Sequence, residues 1–120
     1  MVRSTLAALT RQESPMPNPR IEPLKKVLAI DPNDDVAWFG LGKAYMDDAA
    51  WQEAADALRS CITVKPTYSA AYYALAQSLL KLGRMDECRQ VADQGIDVSR
   101  ANGDAMVTKN LELLKGSLPA

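Results

Sequence analysis

The sequence predicts an all-α fold, built as a stack of antiparallel helix pairs with about six helices in total. Between residues 20 and 117, apolar residues recur at helical spacing, and short stretches rich in Pro, Asn, Asp and Gly separate them. In addition, residues 24–32 resemble residues 58–66, and the two segments end at Pro32 and Pro66. The interval between these prolines equals a repeat period of about 34 residues, which is typical of a helix–turn–helix unit that recurs along the chain.

Residues 1–19 are expected to form a mobile tail or linker. Residues 2–12 could form a short helix, but Pro15, Pro17 and Pro19 then favour extended backbone. An alternative is that this opening belongs to a degenerate leading repeat. The positions one repeat period before the later packing residues hold small or charged side chains, so a tail is favoured.

The folded domain is predicted to span residues 20–117 and to open with a helix over residues 22–30. Pro23 lies in the first turn of this helix, where its missing amide hydrogen costs little. The turn at residues 31–34 ends the helix, and Asp34 supplies an N-cap for the next one. The opening helix is interpreted as the second helix of a pair whose first helix is missing.

The next helix, predicted over residues 35–47, carries the largest packing residues. Trp38, Leu41 and Tyr45 follow one another at helical spacing and form one apolar stripe. Glycine weakens a helix interior by up to about 1 kcal/mol relative to alanine. Gly42 in this helix therefore predicts the close approach of a neighbouring helix.

Four further helices complete the predicted domain, over residues 51–64, 69–81, 85–99 and 104–115. The domain then divides into a repeat, a degenerate repeat and a capping helix, at residues 35–68, 69–102 and 103–117. In the degenerate repeat, Arg100 takes the place of the closing Pro66, which allows the fifth helix to run a turn longer. The capping helix carries polar residues between its apolar ones, which suits a solvent-exposed end.

The stretch that begins at Trp38 resembles one tetratricopeptide repeat. The pattern of that family is Trp, two residues, Leu-Gly, two residues and Tyr, followed by Ala, three residues, Phe and finally Pro. The residues that match it, with Leu in place of Phe, are Trp38, Leu41, Gly42, Tyr45, Ala54, Leu58 and Pro66. The resemblance implies a right-handed superhelical stack, an α-solenoid, in which Ala54 faces the Gly42 side.

The resemblance also implies a protein–protein interaction module, because the first helices of such repeats line a groove that holds a peptide or protein segment. Carried onto this chain, the partner-binding groove comprises Val36, Phe39, Lys43, Met46, Tyr73, Gln77, Leu80 and Lys81, and Val107 and Leu111 would extend it. Some co-chaperone members clamp a terminal carboxylate with Lys, Asn and Arg at these places. Apolar residues stand at most of them here, so no such clamp is expected.

The residue inventory argues against an enzyme and against a bound cofactor or metal. The chain has no His, which is the commonest general base and a common metal ligand. Gly40 and Gly42 lie inside a predicted helix and do not form a phosphate-binding loop. The carboxylate clusters lie at predicted helix ends, where capping and the helix dipole explain them.

Composition also limits the kinds of partner. The 14 basic and 15 acidic residues are interspersed and give a net charge of −1, so no basic field for nucleic acid or anionic lipid is expected. No run of residues approaches the roughly 20 apolar residues of a membrane span, and a cytoplasmic protein is expected. Cys61 and Cys88 fall at small packing positions, and no disulfide between them is expected.

An alternative function is a structural or self-assembly role through the exposed ends of the stack. The opening helix lacks its natural predecessor. Leu24 and Leu28 are therefore expected on an exposed apolar face unless residues 1–19 cover it. Such a face would support a weak homodimer through the opening helix.

Overall fold

The structure, a computed structural model, describes residues 17–119, and within that range it contains six α-helices and no strand. The helices are α1 (Ile21–Ile30), α2 (Asp35–Asp47), α3 (Trp51–Val64), α4 (Ser69–Lys81), α5 (Met85–Asn102) and α6 (Ala105–Gly116). The predicted all-α helix stack is confirmed, and α5 ends at residue 102 instead of 99, as the missing proline allowed. The prediction for residues 1–16 lies outside the described residues.

Short turns reverse the chain between successive helices, and each helix packs on the next. Pairs are formed by α2 with α3 and by α4 with α5. We call α2, α4 and α6 the leading helices, and α1, α3 and α5 the trailing helices. Leading helices also touch one another, α2 with α4 and α4 with α6, so they form a continuous row.

A hydrogen bond from the first large ring of two leading helices recurs with the predicted period. The Trp38 indole Nε1–H donates to the Pro32 carbonyl at 2.8 Å, and the Tyr72 hydroxyl donates to the Pro66 carbonyl at 2.7 Å. Donor and acceptor both advance by one repeat period between the two bonds. The repeat seen in the sequence is thus also a repeat of contacts.

Helices α2 and α3 approach closely at Gly42. A Cβ atom added there would lie 2.6 Å from Leu58 Cγ, and Leu58 is fully buried. The resemblance to the repeat family implied that Ala54 faces this glycine. The nearest atoms are instead those of Leu58, which lies one turn after Ala54 on the same side of α3. The leucine that replaces the family's aromatic ring is therefore the residue that requires the glycine.

The trailing helix α1 packs on α2 and covers residues that the sequence suggested were exposed. Leu28 is 8% exposed and Leu24 is half-buried, and both join an apolar cluster with residues of α2. The expectation of an exposed face at Leu24 and Leu28 was wrong, because both side chains reach over α2. The large apolar residues of α1 that are exposed are Val27, at 39%, and Ile30, at 86%.

Candidate partner-binding site

The predicted groove residues lie on the leading helices α2 and α4, but solvent reaches them to different degrees. Val36 is 64% exposed. Phe39, Met46, Tyr73 and Leu80 are half-buried and pack against the larger of two apolar core clusters. Part of each of these four side chains is therefore committed to holding the stack together.

Phe39 shows how the leading helices are joined. Its ring stacks on Tyr68, the residue that precedes α4, with the ring centroids 5.0 Å apart and the planes inclined by 27°. Such an offset pair contributes about 0.5–1.5 kcal/mol beyond the area it buries. The Lys65 Nζ atom lies 5.9 Å from the Tyr68 ring centroid and 3.8 Å from a carboxylate oxygen of Asp35. Phe39 is thus both a packing residue and a part of the predicted groove.

The charged and polar groove residues differ in how far they are engaged. The Nζ atom of Lys81 lies 5.7 Å from the Trp51 ring centroid, a cation–π contact. Asp47, beside the groove, pairs with Arg20 at 2.9 Å. Lys43 is half-buried and makes no ion pair with any residue from 17 to 119. Lys43 is therefore the groove cation best able to meet a partner's carboxylate.

On α6, the two residues that were expected to extend the groove are not the ones that are exposed. Leu111 is fully buried and Val107 is half-buried against the core. Met106 and Leu113 are exposed instead, at 70% and 64%. The expectation for Val107 and Leu111 was wrong because α6 begins two positions later than a fixed repeat period places it.

The shift follows from the spacing of the N-cap positions of the three leading helices. These positions are occupied by Asp34, Tyr68 and Asp104. The interval from Asp34 to Tyr68 is one repeat period, but the interval from Tyr68 to Asp104 is longer by two positions. The longer α5 accounts for this difference. With that correction, Met106 and Leu113 correspond to Val36 and Lys43 of α2. The spacing of the cap residues was the signal in the sequence that a fixed period overlooked.

We define the groove face as the residues that occupy these two corresponding positions on each leading helix. They are Val36 and Lys43 on α2, Ala70 and Gln77 on α4, and Met106 and Leu113 on α6. The two positions are separated by about two helical turns and so share one side of each helix. The groove face combines apolar groups with one lysine and one glutamine.

The two cysteines are buried away from this face. Cys61 donates its Sγ–H to the Asp35 carbonyl at 3.4 Å, and Cys88 donates to the Ala76 carbonyl at 3.2 Å. Burial is the main cause that raises the pKa of Cys61 to about 12, and burial also raises the pKa of Cys88. Neither cysteine forms a disulfide. Both are packing residues that stay protonated at neutral pH.

The described part of the chain offers neither a cluster of metal-binding side chains nor a membrane-spanning helix. Residues 17–119 contain no group of three or more His, Cys, Asp or Glu side chains that could hold a metal ion. In the same range, no helix is long and apolar enough to cross a membrane.

Comparison with known proteins points to one family. The tetratricopeptide repeat family pattern matches residues 45–105. A TPR repeat-containing protein of Pseudomonas aeruginosa is 33% identical over 91 residues, which cover 76% of this chain and 87% of that protein. The peroxisomal targeting signal receptor of Candida albicans is 30% identical over 91 residues, covering 75% of this chain but 15% of the receptor.

Solved structures agree in fold. The solution structure of a Bordetella parapertussis protein has a TM-score of 0.69 at 29% identity, covering 79% of this chain and 83% of that one. A tetratricopeptide repeat domain protein of Salinibacter ruber has a TM-score of 0.64 at 25% identity, covering 71% and 86%. The sequence match, the shared fold and the recurring contacts lead to one conclusion: the chain belongs to the tetratricopeptide repeat family.

Proposed function

We propose that this chain is a non-enzymatic scaffold of the cytoplasm that binds a protein or peptide segment along the groove face. The floor of the groove is formed by the half-buried residues Phe39, Met46, Tyr73 and Leu80. The observation that carries the proposal is the exposure of three large apolar side chains on one side of the leading helices. Val36, Met106 and Leu113 are 64%, 70% and 64% exposed.

Burial of these side chains would supply the binding energy. Each Å² of apolar surface removed from water contributes roughly 25 cal/mol before the costs of association. A contiguous exposed apolar patch often marks an interaction site. A segment that follows the row of leading helices would cover Val36 on α2 and Met106 and Leu113 on α6 together. Lys43 adds a cation that favours a segment with a carboxylate near its apolar anchors. The relative named as a targeting signal receptor supports recognition of a segment of another protein.

The proposal is tested by comparing two matched substitutions of exposed apolar residues. Val36→Glu places a charge on the groove face, and Ile30→Glu places the same charge at the end of α1, outside it. Proteins captured from cell extract by each variant are quantified against those captured by the wild type. We expect Val36→Glu to lose specific partners and Ile30→Glu to keep them. Equal capture by all three proteins would contradict the proposal.

Alanine substitutions at Phe39 and Tyr73 are a poorer test. Both rings pack against the core cluster, so their removal would destabilise the stack as well as alter the groove. A loss of binding would then have two explanations. Val36 contributes little to packing, and its substitution changes the surface alone.

A second candidate function is self-association through α1, which the exposure of Ile30 favours. A homodimer formed there would bury Val27 and Ile30 of each copy. Light scattering over a range of protein concentrations tests this candidate. A dimer that Ile30→Glu dissolves would support it, and a monomer at every concentration would exclude it.

A further inference from the structure

We propose a second binding site, separate from the groove face: a cleft between α1, α2 and α3 that takes an arginine and a neighbouring aliphatic side chain from a peptide. The cleft has a volume of about 450 Å³. Its apolar lining comes from Leu28, Trp38, Leu41 and Ala57. Glu53 and Asp56 add carboxylates, and Lys25 adds one cation. The lining of the cleft shares no residue with the groove face, so this site is independent of the proposed function.

In the second repeat, side chains of the protein itself fill the position that corresponds to this cleft. One repeat period along the chain, Val91 takes the place of Ala57, and Tyr72 takes the place of Trp38. Val91 and Tyr72 are each 5% exposed, whereas Trp38 is half-buried. The second repeat thus supplies a larger aliphatic group where the first repeat leaves space above Ala57.

The charged groups differ in the same way between the two repeats. Glu87, which corresponds to Glu53, accepts hydrogen bonds from Arg84 at 2.7 Å and from Arg59 at 2.8 Å. The hydrogen bond from Arg84 is the main cause that lowers the pKa of Glu87. In the first repeat, Ala50 stands where Arg84 does, so Glu53 loses one of the two guanidinium partners.

Lysine stands where the other guanidinium would be, and it is engaged elsewhere. Lys25 corresponds to Arg59, but its Nζ atom lies 3.7 Å from the carboxylate of Glu22 on its own helix. Within residues 17–119, neither Glu53 nor Asp56 makes an ion pair. Asp56 accepts one hydrogen bond, from Gln52 at 3.1 Å. The cleft therefore presents two carboxylates that form no ion pair within this range, although Lys25, paired with Glu22, also lines it.

In the second repeat, an aliphatic side chain and a guanidinium group occupy this place. The same two groups, supplied by a ligand, would therefore fit the cleft of the first repeat. Arginine fits better than lysine because its planar group can donate two parallel hydrogen bonds to one carboxylate. The ligand class is a peptide with a leucine or valine next to an arginine. The aliphatic side chain would fill the space above Ala57, and the guanidinium would pair with Glu53.

The two tryptophans allow a direct test by nuclear magnetic resonance. Trp38 lines the cleft and its indole N–H donates to the Pro32 carbonyl, whereas Trp51 packs near Lys81 and serves as an internal control. The probe is acetyl-leucyl-arginine amide, with the citrulline analogue as the uncharged control peptide. We expect a saturable shift of the Trp38 indole signal with the arginine peptide, a weaker response with the citrulline peptide, and a constant Trp51 signal.

Three variants of the chain sharpen the test. Glu53→Gln should weaken binding about three- to fivefold, as expected for an exposed charge pair. Ala57→Val should abolish the Trp38 response, and a thermal unfolding curve shows whether that variant still folds. Glu87→Gln, in the filled repeat, should bind as the wild type does. These variants leave the groove face unchanged, so a failure here leaves the proposed function intact.

Three outcomes would overturn the proposal. The first is no shift of the Trp38 signal at millimolar peptide. The second is equal binding by wild type and by Glu53→Gln. The third is a Trp38 signal that moves with protein concentration alone, which would assign the cleft to a second copy of the chain.

Discussion

At the scale of single residues, Ala49 stands out because of its backbone. Among residues 17–119 it is the one non-glycine residue with a positive φ, 55°. Gly83 holds the same place in the next repeat, with a φ of 75°. The hydrogen bonds of the two turns match as well, from Ala50 N–H to the Tyr45 carbonyl and from Arg84 N–H to the Leu79 carbonyl. Alanine in this left-handed conformation costs about 1 kcal/mol.

Ala49→Gly is therefore expected to raise the free energy of unfolding by about 0.5–1 kcal/mol. The matched control is Gly83→Ala, which should lower it by about 1 kcal/mol. A Cβ atom at Gly83 meets no atom within 4 Å, so the control reports on the backbone conformation. Urea denaturation measures both. A loss of stability in Ala49→Gly would contradict the assignment of strain to this turn.

Cys61 gives a prediction for the pH dependence of stability. Burial raises its pKa to about 12 in the folded protein from an ordinary value of 9.0. Above pH 9 the unfolded chain therefore loses this proton while the folded chain keeps it, and stability falls as pH rises. One such proton is worth about 1.4 kcal/mol per pH unit.

The stability advantage of wild type over Cys61→Ala should therefore shrink by roughly 1–2 kcal/mol between pH 9 and pH 10.5. Urea denaturation of both proteins at each pH measures this difference. Burial, the main cause that raises the pKa of Tyr72, is present in both proteins, whereas the smaller contribution of Cys61 to that pKa is present in the wild type alone. A difference that stays constant across this range would show that Cys61 does not titrate as its burial implies.

At the scale of helices, the contact between α2 and α3 depends on the absence of a side chain at Gly42. Alanine has the higher helix propensity, by about 1 kcal/mol, but its Cβ would lie 2.6 Å from Leu58 Cγ. Because Leu58 is fully buried, its γ carbon cannot move away freely. Overpacking of this kind typically costs about 1–3 kcal/mol and outweighs the gain in propensity.

Gly42→Ala is accordingly expected to lower the midpoint of thermal unfolding. Gly40→Ala, two positions away on the same helix, is the control. Its Cβ would lie 3.3 Å from Leu24 Cδ1, and because Leu24 is half-buried it can yield, so this variant should be near neutral. Equal effects of the two substitutions would show that propensity, and not the close approach of α3, decides stability here.

The helix order and most helix bounds could be predicted because each signal is local. Asp34 caps α2 as its sequence position predicted, and its side chain accepts a hydrogen bond from Ala37 N–H at 2.9 Å. The register of α6 could not be predicted by the same rule. It depends on two extra positions ahead of Asp104, and a fixed repeat period places Leu111, a fully buried residue, in the groove.

The positions of the candidate groove residues could be predicted in part, for a related reason. Helical spacing places Val36 and Lys43 on one side of α2, and this follows from the sequence alone. Which of the other residues pack within the stack and which remain exposed depends on how whole helices pack, and this could not be predicted from the sequence. Phe39 turned out to stack on Tyr68, and Lys81 lies over Trp51. The cleft beside Trp38 likewise becomes apparent when the side-chain partners of two repeats are compared.

At the scale of the whole molecule, the two ends of the stack differ. On α6, Glu112 stands where Gly42 stands on α2, once the register shift is included, and it pairs with Arg100 at 2.7 Å. Lys115 pairs with Asp93 at 2.6 Å, also between α5 and α6. A charged residue in place of the glycine disfavours the close packing of another helix. This is the character that the sequence predicts for a capping helix.

Contact between the groove face and a partner can be tested directly by site-specific photo-crosslinking in cells. A photoreactive phenylalanine analogue is placed at Val36 on α2, at Leu113 on α6, and at Ile30 outside the groove as control. All three positions are exposed, so the substitution leaves the core intact. We expect the same crosslinked partner from positions 36 and 113 and none of it from position 30. An equal adduct from all three positions, or none from 36 and 113, would contradict it.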